Sequence, residues 1–181
     1  MPNKVVKERR VGVIIELPEP LASELREYRW SFGDEMAKVV PAHITLLSTT
    51  LLTSIEALEK HVTKIVKRFS PFTVELKGTD TFRPISPVVF LRLVKGYRQC
   101  MALAKELDAG VVNLEHTFPY HPHVTVAFKV EDENLDEAEK MLGDYSAEFQ
   151  VTSVKVFEHY EGDVWHTVKE IPLGAATYKP T

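Results

Sequence analysis

Pro41-Ala42-His43-Ile44-Thr45-Leu46 and Pro122-His123-Val124-Thr125-Val126 repeat one pattern at two places, with 80 residues from His43 to His123. Each reads as a strand, because polar residues alternate with β-branched and apolar ones. Strand side chains point to alternate faces, so His43 and Thr45 share one face while Ile44 and Leu46 take the other. His123 and Thr125 likewise share a face, opposite Val124, Val126 and Phe128. Each strand therefore presents an imidazole beside a hydroxyl. Two such strands set face to face would gather two imidazoles and two hydroxyls around one cleft.

The bare triplet carries little weight. Seven histidines and the chain's threonines would produce on the order of half a copy by chance, and a third copy, His61-Val62-Thr63, does occur. It sits in a strongly periodic helix, where positions two apart point nearly opposite ways. His61 and Thr63 cannot converge on one ligand, and His61 reads as an exposed helix residue. What distinguishes the other two copies is their strand setting and their equivalent places in the chain.

Working outward, residues 11–15 form a β-branched strand and Pro20 opens a helix with Leu21, Leu25 and Tyr28 on its apolar face. The motif strand covers residues 42–47. Thr53-Ser54-Ile55-Glu56 has the form of a capping box, and the helix after it shows Ile55, Leu58, Val62, Ile65, Val66 and Phe69 on one face before Pro71 ends it. A strand follows over 72–76, extending toward Phe82, then a proline-bounded turn, Arg83-Pro84-Ile85-Ser86-Pro87. The same order recurs: a strand over 88–94, a helix over 97–108 with Met101, Ala104 and Leu107 inward, and the second motif strand over 123–128. A helix capped at Asn134 has Leu135, Ala138, Met141, Leu142 and Tyr145 inward. Last come strands over 149–160 and 164–173 around the hairpin turn Glu161-Gly162-Asp163. Val11 to Val88 is 77 residues, Thr53 to Asn134 is 81 and Phe72 to Phe149 is 77. The expectation is one α+β domain over residues 1–181, bilobal and pseudo-symmetric. Each lobe holds a mainly antiparallel sheet and two helices, over roughly 11–82 and 88–173, with a cleft between them.

Composition bounds the chemistry. Lys and Arg number 22 against 26 Asp and Glu, a net charge of −4, which argues against a protein that coats long nucleic acid. A small basic pocket for one or two phosphates stays compatible with it. Cys100 is the one cysteine, which excludes an internal disulfide framework and a cysteine zinc site. No stretch has the length of a membrane span. The run 11–17 is interrupted by Glu16 and ended by Pro18 with no cleavage site after it, so the chain reads as cytoplasmic.

Histidine is what remains. Imidazole titrates near 6.5, so one ring can be neutral and the other protonated at working pH. The neutral ring accepts a proton from an attacking water or hydroxyl, and the charged ring donates one to the departing oxygen. The Thr45 and Thr125 hydroxyls can donate to non-bridging phosphate oxygens. No acidic cluster with metal-binding spacing is present, and the scheme needs no cofactor. A weaker alternative makes His121, His123 and His43 metal ligands, although Pro122 and the missing carboxylate count against it. His121 otherwise reads as a rim residue, and His116 and His159 as surface positions. His166, Trp165 and Tyr160 could stack on a base but more simply fill a half-buried hairpin. Arg83 and Arg92 are candidate phosphate partners.

With these residues in view, the chain resembles the 2H phosphoesterase superfamily, and within it the bacterial 2′-5′ RNA ligase-like branch, through its paired His-x-Thr-x motifs. The resemblance extends from Val11-Gly12-Val13-Ile14-Ile15-Glu16-Leu17-Pro18 to the closing Ile171-Pro172-Leu173. It implies a bilobal fold, a metal-independent cleft, and action on 2′,3′-cyclic phosphates or 2′-5′ phosphodiesters of RNA ends or small nucleotides, with ligation as the reverse direction. By motif it makes His43 and His123 catalytic and Thr45 and Thr125 substrate-binding. The chain itself is expected to be a monomer without membrane association. The rival expectations are a non-catalytic RNA- or nucleotide-binding module that keeps the fold, and a protein-interaction scaffold, which would lack a concave pocket.

Overall fold

The computed structural model describes residues 9–52, 54–110, 118–159 and 164–175. Its strands are β1 (Arg9–Glu16), β2 (His43–Leu52), β3 (Phe72–Thr81), β4 (Val88–Lys95), β5 (His123–Phe128), β6 (Ser146–Val151), β7 (Ser153–His159) and β8 (Trp165–Pro172). Its α-helices are α1 (Leu21–Ser31), α2 (Ile55–Val66), α3 (Tyr97–Asp108) and α4 (Asp132–Met141), with a 3-10 turn at Glu35–Lys38. The expected α+β architecture is the observed one.

The strands form one sheet in the order β6-β3-β4-β5-β2-β1-β7-β8, antiparallel throughout. It divides into two four-stranded halves at the β5–β2 seam, where Ile44 opposite Val124 is the registered pair. The halves exchange strands: β3, from the first part of the chain, pairs with β4, while β7, from the last part, pairs with β1. The expected single strand over 149–160 is two strands. It breaks at Thr152, with β6 completing the ladder on β3 and β7 crossing to β1. The Glu161-Gly162-Asp163 turn and Tyr160 lie outside the described residues, but β7 and β8 do pair as a hairpin.

One face of the sheet carries the helices and the main core. Ile44, Val124 and Val126 are fully or almost fully buried there, with Leu58 and Val62 of α2 and Leu103 and Leu107 of α3. Each fully buried aliphatic side chain of this kind is worth roughly 1.5–3 kcal/mol relative to exposure. The core stripe of α3 is Cys100, Leu103, Ala104 and Leu107, spaced as one helical face requires. Met101, expected inward, stands one residue off that stripe and turns toward a cavity instead. On α4, Leu135, Ala138 and Leu142 are buried, whereas Met141, also expected inward, is 53% exposed. Phe128 is half-buried rather than in the core, because a one-residue register shift between Val89 and Phe90 brings Ala127 into the core beside Val126.

The helix starts differ from the expected boxes by small steps. Ser54 caps α2, its hydroxyl accepting from the Ala57 amide at 3.2 Å, and Thr53 lies outside the described residues. α4 begins at Asp132, so Asn134 lies within its first turn. His61 is half-buried rather than exposed. Its Nε2 lies 3.0 Å from the Leu107 carbonyl and so joins α2 to α3.

Candidate functional site

The opposite face of the sheet is where the two motifs meet. With Ile44 opposite Val124, antiparallel register sets His43 across from Thr125 and Thr45 across from His123. All four side chains stand on the face away from the core and are half-buried, whereas Ile44 and Val124 beneath them are fully buried. The two imidazoles are diagonal neighbours, a relation that in a regular ladder puts the two residues roughly 7–8 Å apart and their Cβ atoms somewhat closer. His43 is close enough to His123 to be affected by its charge.

Each ring is tethered in the same way. Nδ1 of His43 lies 2.7 Å from the Pro41 carbonyl, and Nδ1 of His123 lies 2.7 Å from the His121 carbonyl. A carbonyl only accepts, so each neutral ring keeps its proton on Nδ1 and leaves Nε2 with a free lone pair. In both cases the tether is the backbone two residues earlier.

The surroundings of the two rings differ. His43 packs against Trp165, ring centres 4.8 Å apart, and Trp165 lies flat on Phe157 at 4.0 Å. The Phe157 ring in turn covers Gly12, where a Cβ would meet it at 2.6 Å. A glycine in the middle of a β-branched strand is thus the space in which this stack sits. Burial pushes His43 down to about 4. The Pro41 bond works against that shift, and the Arg29 and His123 charges add to it. Arg29 is itself buried, ion-paired to Asp34 at 2.9 Å and donating to the Val40 carbonyl at 2.7 Å. Glu16, across from His43 in register, pairs with Lys155 at 2.8 Å.

His123 stands edge-on to Phe82 at 4.9 Å and beside Phe90 at 5.2 Å. Burial lowers its pKa too, the His121 carbonyl raises it, and the His121 charge lowers it further. Past His123 and Thr45 opens a cavity of about 800 Å³ between residues 45–48 of β2, α3, the 82–86 turn and residues 118–123. Tyr120 crosses the seam there and donates its hydroxyl to the Thr45 carbonyl at 2.7 Å.

The other sequence candidates fall as follows. His121 is exposed and packs beside Phe82, Phe90 and Tyr97. Arg83 is taken up by Asp136 and Glu139 at 2.7 and 2.8 Å, and so is committed to carboxylates. Arg92 faces His123 in register but runs its guanidinium the other way, over Gly78 of β3. His166 is exposed, His159 lies 6.3 Å from Trp165, and His116 lies outside the described residues. Among the described residues no group of three or more His, Cys, Asp or Glu could hold a metal ion, and no helix is long and apolar enough to cross a membrane. Sequence reasoning missed Tyr120 and the Phe157 ring over Gly12. Only the glycine carried a signal for either.

Comparison with known proteins bears on this arrangement. The sequence model of the 2′-5′ RNA ligase superfamily matches residues 17–163. Two Bacillus proteins, both named "Putative phosphoesterase", are similar over nearly the whole chain. That of Bacillus pumilus is 28% identical, covering 95% of each chain, and that of Bacillus licheniformis is 23% identical, covering 92% of this chain and 99% of its own. The fold matches E. coli LigT in its complex with 3′-AMP at a TM-score of 0.64, with 20% identity over 92% of this chain and 99% of LigT. The LigT complex with NADP+ matches at 0.63, with 21% identity over 93% of this chain and 99% of LigT.

Proposed function

The chain belongs to the 2′-5′ RNA ligase superfamily, and from that premise we propose that this phosphoesterase is a metal-independent phosphodiesterase of the cytoplasm, a single domain acting on 2′,3′-cyclic phosphate or 2′-5′ phosphodiester bonds of RNA ends or small nucleotides. The observation that carries the reading is the seam register, which sets His43, Thr45, His123 and Thr125 on one face with both rings tethered through Nδ1. Nucleotide complexes of LigT, with 3′-AMP and with NADP+, support a small nucleotide as substrate.

The chemistry follows from the two rings. His43, held down to about 4, is neutral near pH 7 and takes the proton of the attacking water at Nε2. The water oxygen bonds to phosphorus as the bond from phosphorus to the ribose 2′ or 3′ oxygen breaks. That oxygen leaves with the proton of His123 Nε2. Thr45 and Thr125 donate to the non-bridging oxygens as charge grows on them. Run backwards, the same exchange is a ligation. Both rings are held below their ordinary value, so kcat/KM, which reports the free enzyme, follows a bell with its optimum on the acid side of neutral.

The test offers 2′,3′-cyclic nucleotides and 2′-5′-linked dinucleotides in excess EDTA. Turnover should persist, and His43→Ala and His123→Ala should each lower it by on the order of 10²–10⁴-fold. Undiminished turnover in both variants would falsify the assignment, and loss of activity with EDTA would favour a metal-dependent reaction. Nucleotide binding that survives both changes, with no turnover in the parent protein, would identify a non-catalytic binding module.

A further inference from the structure

The two sides of the motif cleft are unequal. On the His43 side the space is filled: Trp165 packs on His43 and lies flat on Phe157, which covers Gly12. On the His123 side a cavity of about 800 Å³ begins at Thr45 and His123 and continues between α3 and residues 118–123. Ligand pockets for small organic molecules fall roughly between 300 and 1,000 Å³, with mostly apolar walls and a few placed polar groups. This cavity fits that description. Phe82, Met101, Ala102 and Phe118 supply apolar wall, and Lys105 and Asp108 bring a cation and a carboxylate to it. Phe118 is 60% exposed, a large aromatic ring at a cavity margin with water on its outer side.

We infer that this cavity is the seat of the nucleobase, so that a substrate phosphate held between the motifs carries its nucleoside on the His123 side. The inference rests on the phosphodiesterase reading for the position of the phosphate. Among the described residues, the space past Thr45 and His123 is a direction in which a bulky organic group on a phosphate between His43 and His123 meets a cavity. A flat base gains most from walls of this kind. Stacking on an aromatic side chain is tolerant of base identity because every base has a π-face, and the Lys105 ammonium at the cavity wall can donate to its polar edge. The pocket therefore recognises that a base is present and favours the larger surface of a purine. The Trp165 stack on the other side has one face already covered by Phe157 and the tilted His43 ring packed against it, so it serves as a wall.

The experiment compares kcat/KM for adenosine 2′,3′-cyclic phosphate, cytidine 2′,3′-cyclic phosphate and the base-free 1-O-methylribose 2′,3′-cyclic phosphate. The expected order is adenosine above cytidine above base-free, with at least a tenfold gap between the first and the last. Ala102→Phe, which fills the cavity from α3, and Phe118→Ala, which removes a surface ring with little demand on folding, should each bring the adenosine to base-free ratio toward one. Equal turnover of all three substrates by the parent protein, or an unchanged ratio in both variants, overturns the subsite and leaves the phosphodiesterase reading standing. Absence of turnover of any of the three by the parent protein counts against that reading instead. The subsite is then decided by calorimetric binding of 2′-AMP against ribose 2-phosphate. Tighter binding of 2′-AMP that weakens in Ala102→Phe supports the subsite, and equal binding or none overturns it.

Discussion

His43 and His123 occupy equivalent places on two strands, and the same backbone bond holds each, yet one ring is walled in and the other opens onto a cavity. At His43 the wall is Trp165 on Phe157, made possible by Gly12, and the buried Arg29 adds a repelling charge. At His123 the neighbours are Phe82, Phe90 and the exposed His121, with the cavity beyond. A repeated motif therefore supplies matched imidazoles, while the residues around each copy wall one in and leave the other beside open space. Symmetry in the motif does not carry over to symmetry in the site.

The largest expected effect comes from acid. The folded protein binds a proton at His43 only near pH 4, whereas the unfolded chain binds it near 6.5. The unfolded state thus holds more protons between those values, and stability falls as pH drops through that window. The loss at His43 should reach on the order of 2–3 kcal/mol, read from urea midpoints at pH 7, 5.5 and 4. In His43→Gln the slope over that range should shrink, and an identical slope in parent and variant would place the effect elsewhere.

Trp165→Ala sharpens the comparison by opening the closed side. Water would reach His43, and its pKa should climb toward the ordinary value. Glu16 on β1, paired to Lys155 of β7, and Arg29 of α1 keep their places beside it. The acid limb of kcat/KM should move up by about one unit or more, at most a tenfold loss per unit below the limb. Trp165→Phe should restore most of it. A loss of rate equal at all pH values would mean that Trp165 serves the fold alone.

The smallest effect concerns the seam. Tyr120→Phe removes a bond worth roughly 1 kcal/mol, the one by which residue 120 holds the Thr45 backbone across β5 and β2. With Ile44 and Val124 the registered pair there, KM and kcat should both worsen modestly, and unfolding midpoints should fall slightly. A change in stability without any change in kinetics would show that the seam does not set the spacing of the motifs.

Local pattern made much of this legible. His43 and Thr45 on one face and Ile44 and Leu46 on the other follow from strand alternation, and the structure keeps that division. The apolar stripe of α2 was readable for the same reason, since a 3.6-residue period is a property of the chain itself. Met101 and Met141 were misplaced because an apolar side chain one step off the stripe carries no mark of whether it meets core, cavity or water. The break at Thr152 was hidden because each side of it alternates well as a strand. What separates β6 from β7 is the edge each finds, β3 or β1.

By itself the sequence determined the two strand-borne motifs, the faces they present, the helices that bury their apolar side and the family they mark. Those features depend on neighbours a few residues apart. Only the tertiary structure decided that Ile44 would meet Val124, that carbonyls of Pro41 and His121 would hold the rings, and that Phe157 would lie on Gly12 with Trp165 above it. Each of these joins strands far apart in the chain or uses backbone atoms that every residue shares, so apart from Gly12 no residue type announces them.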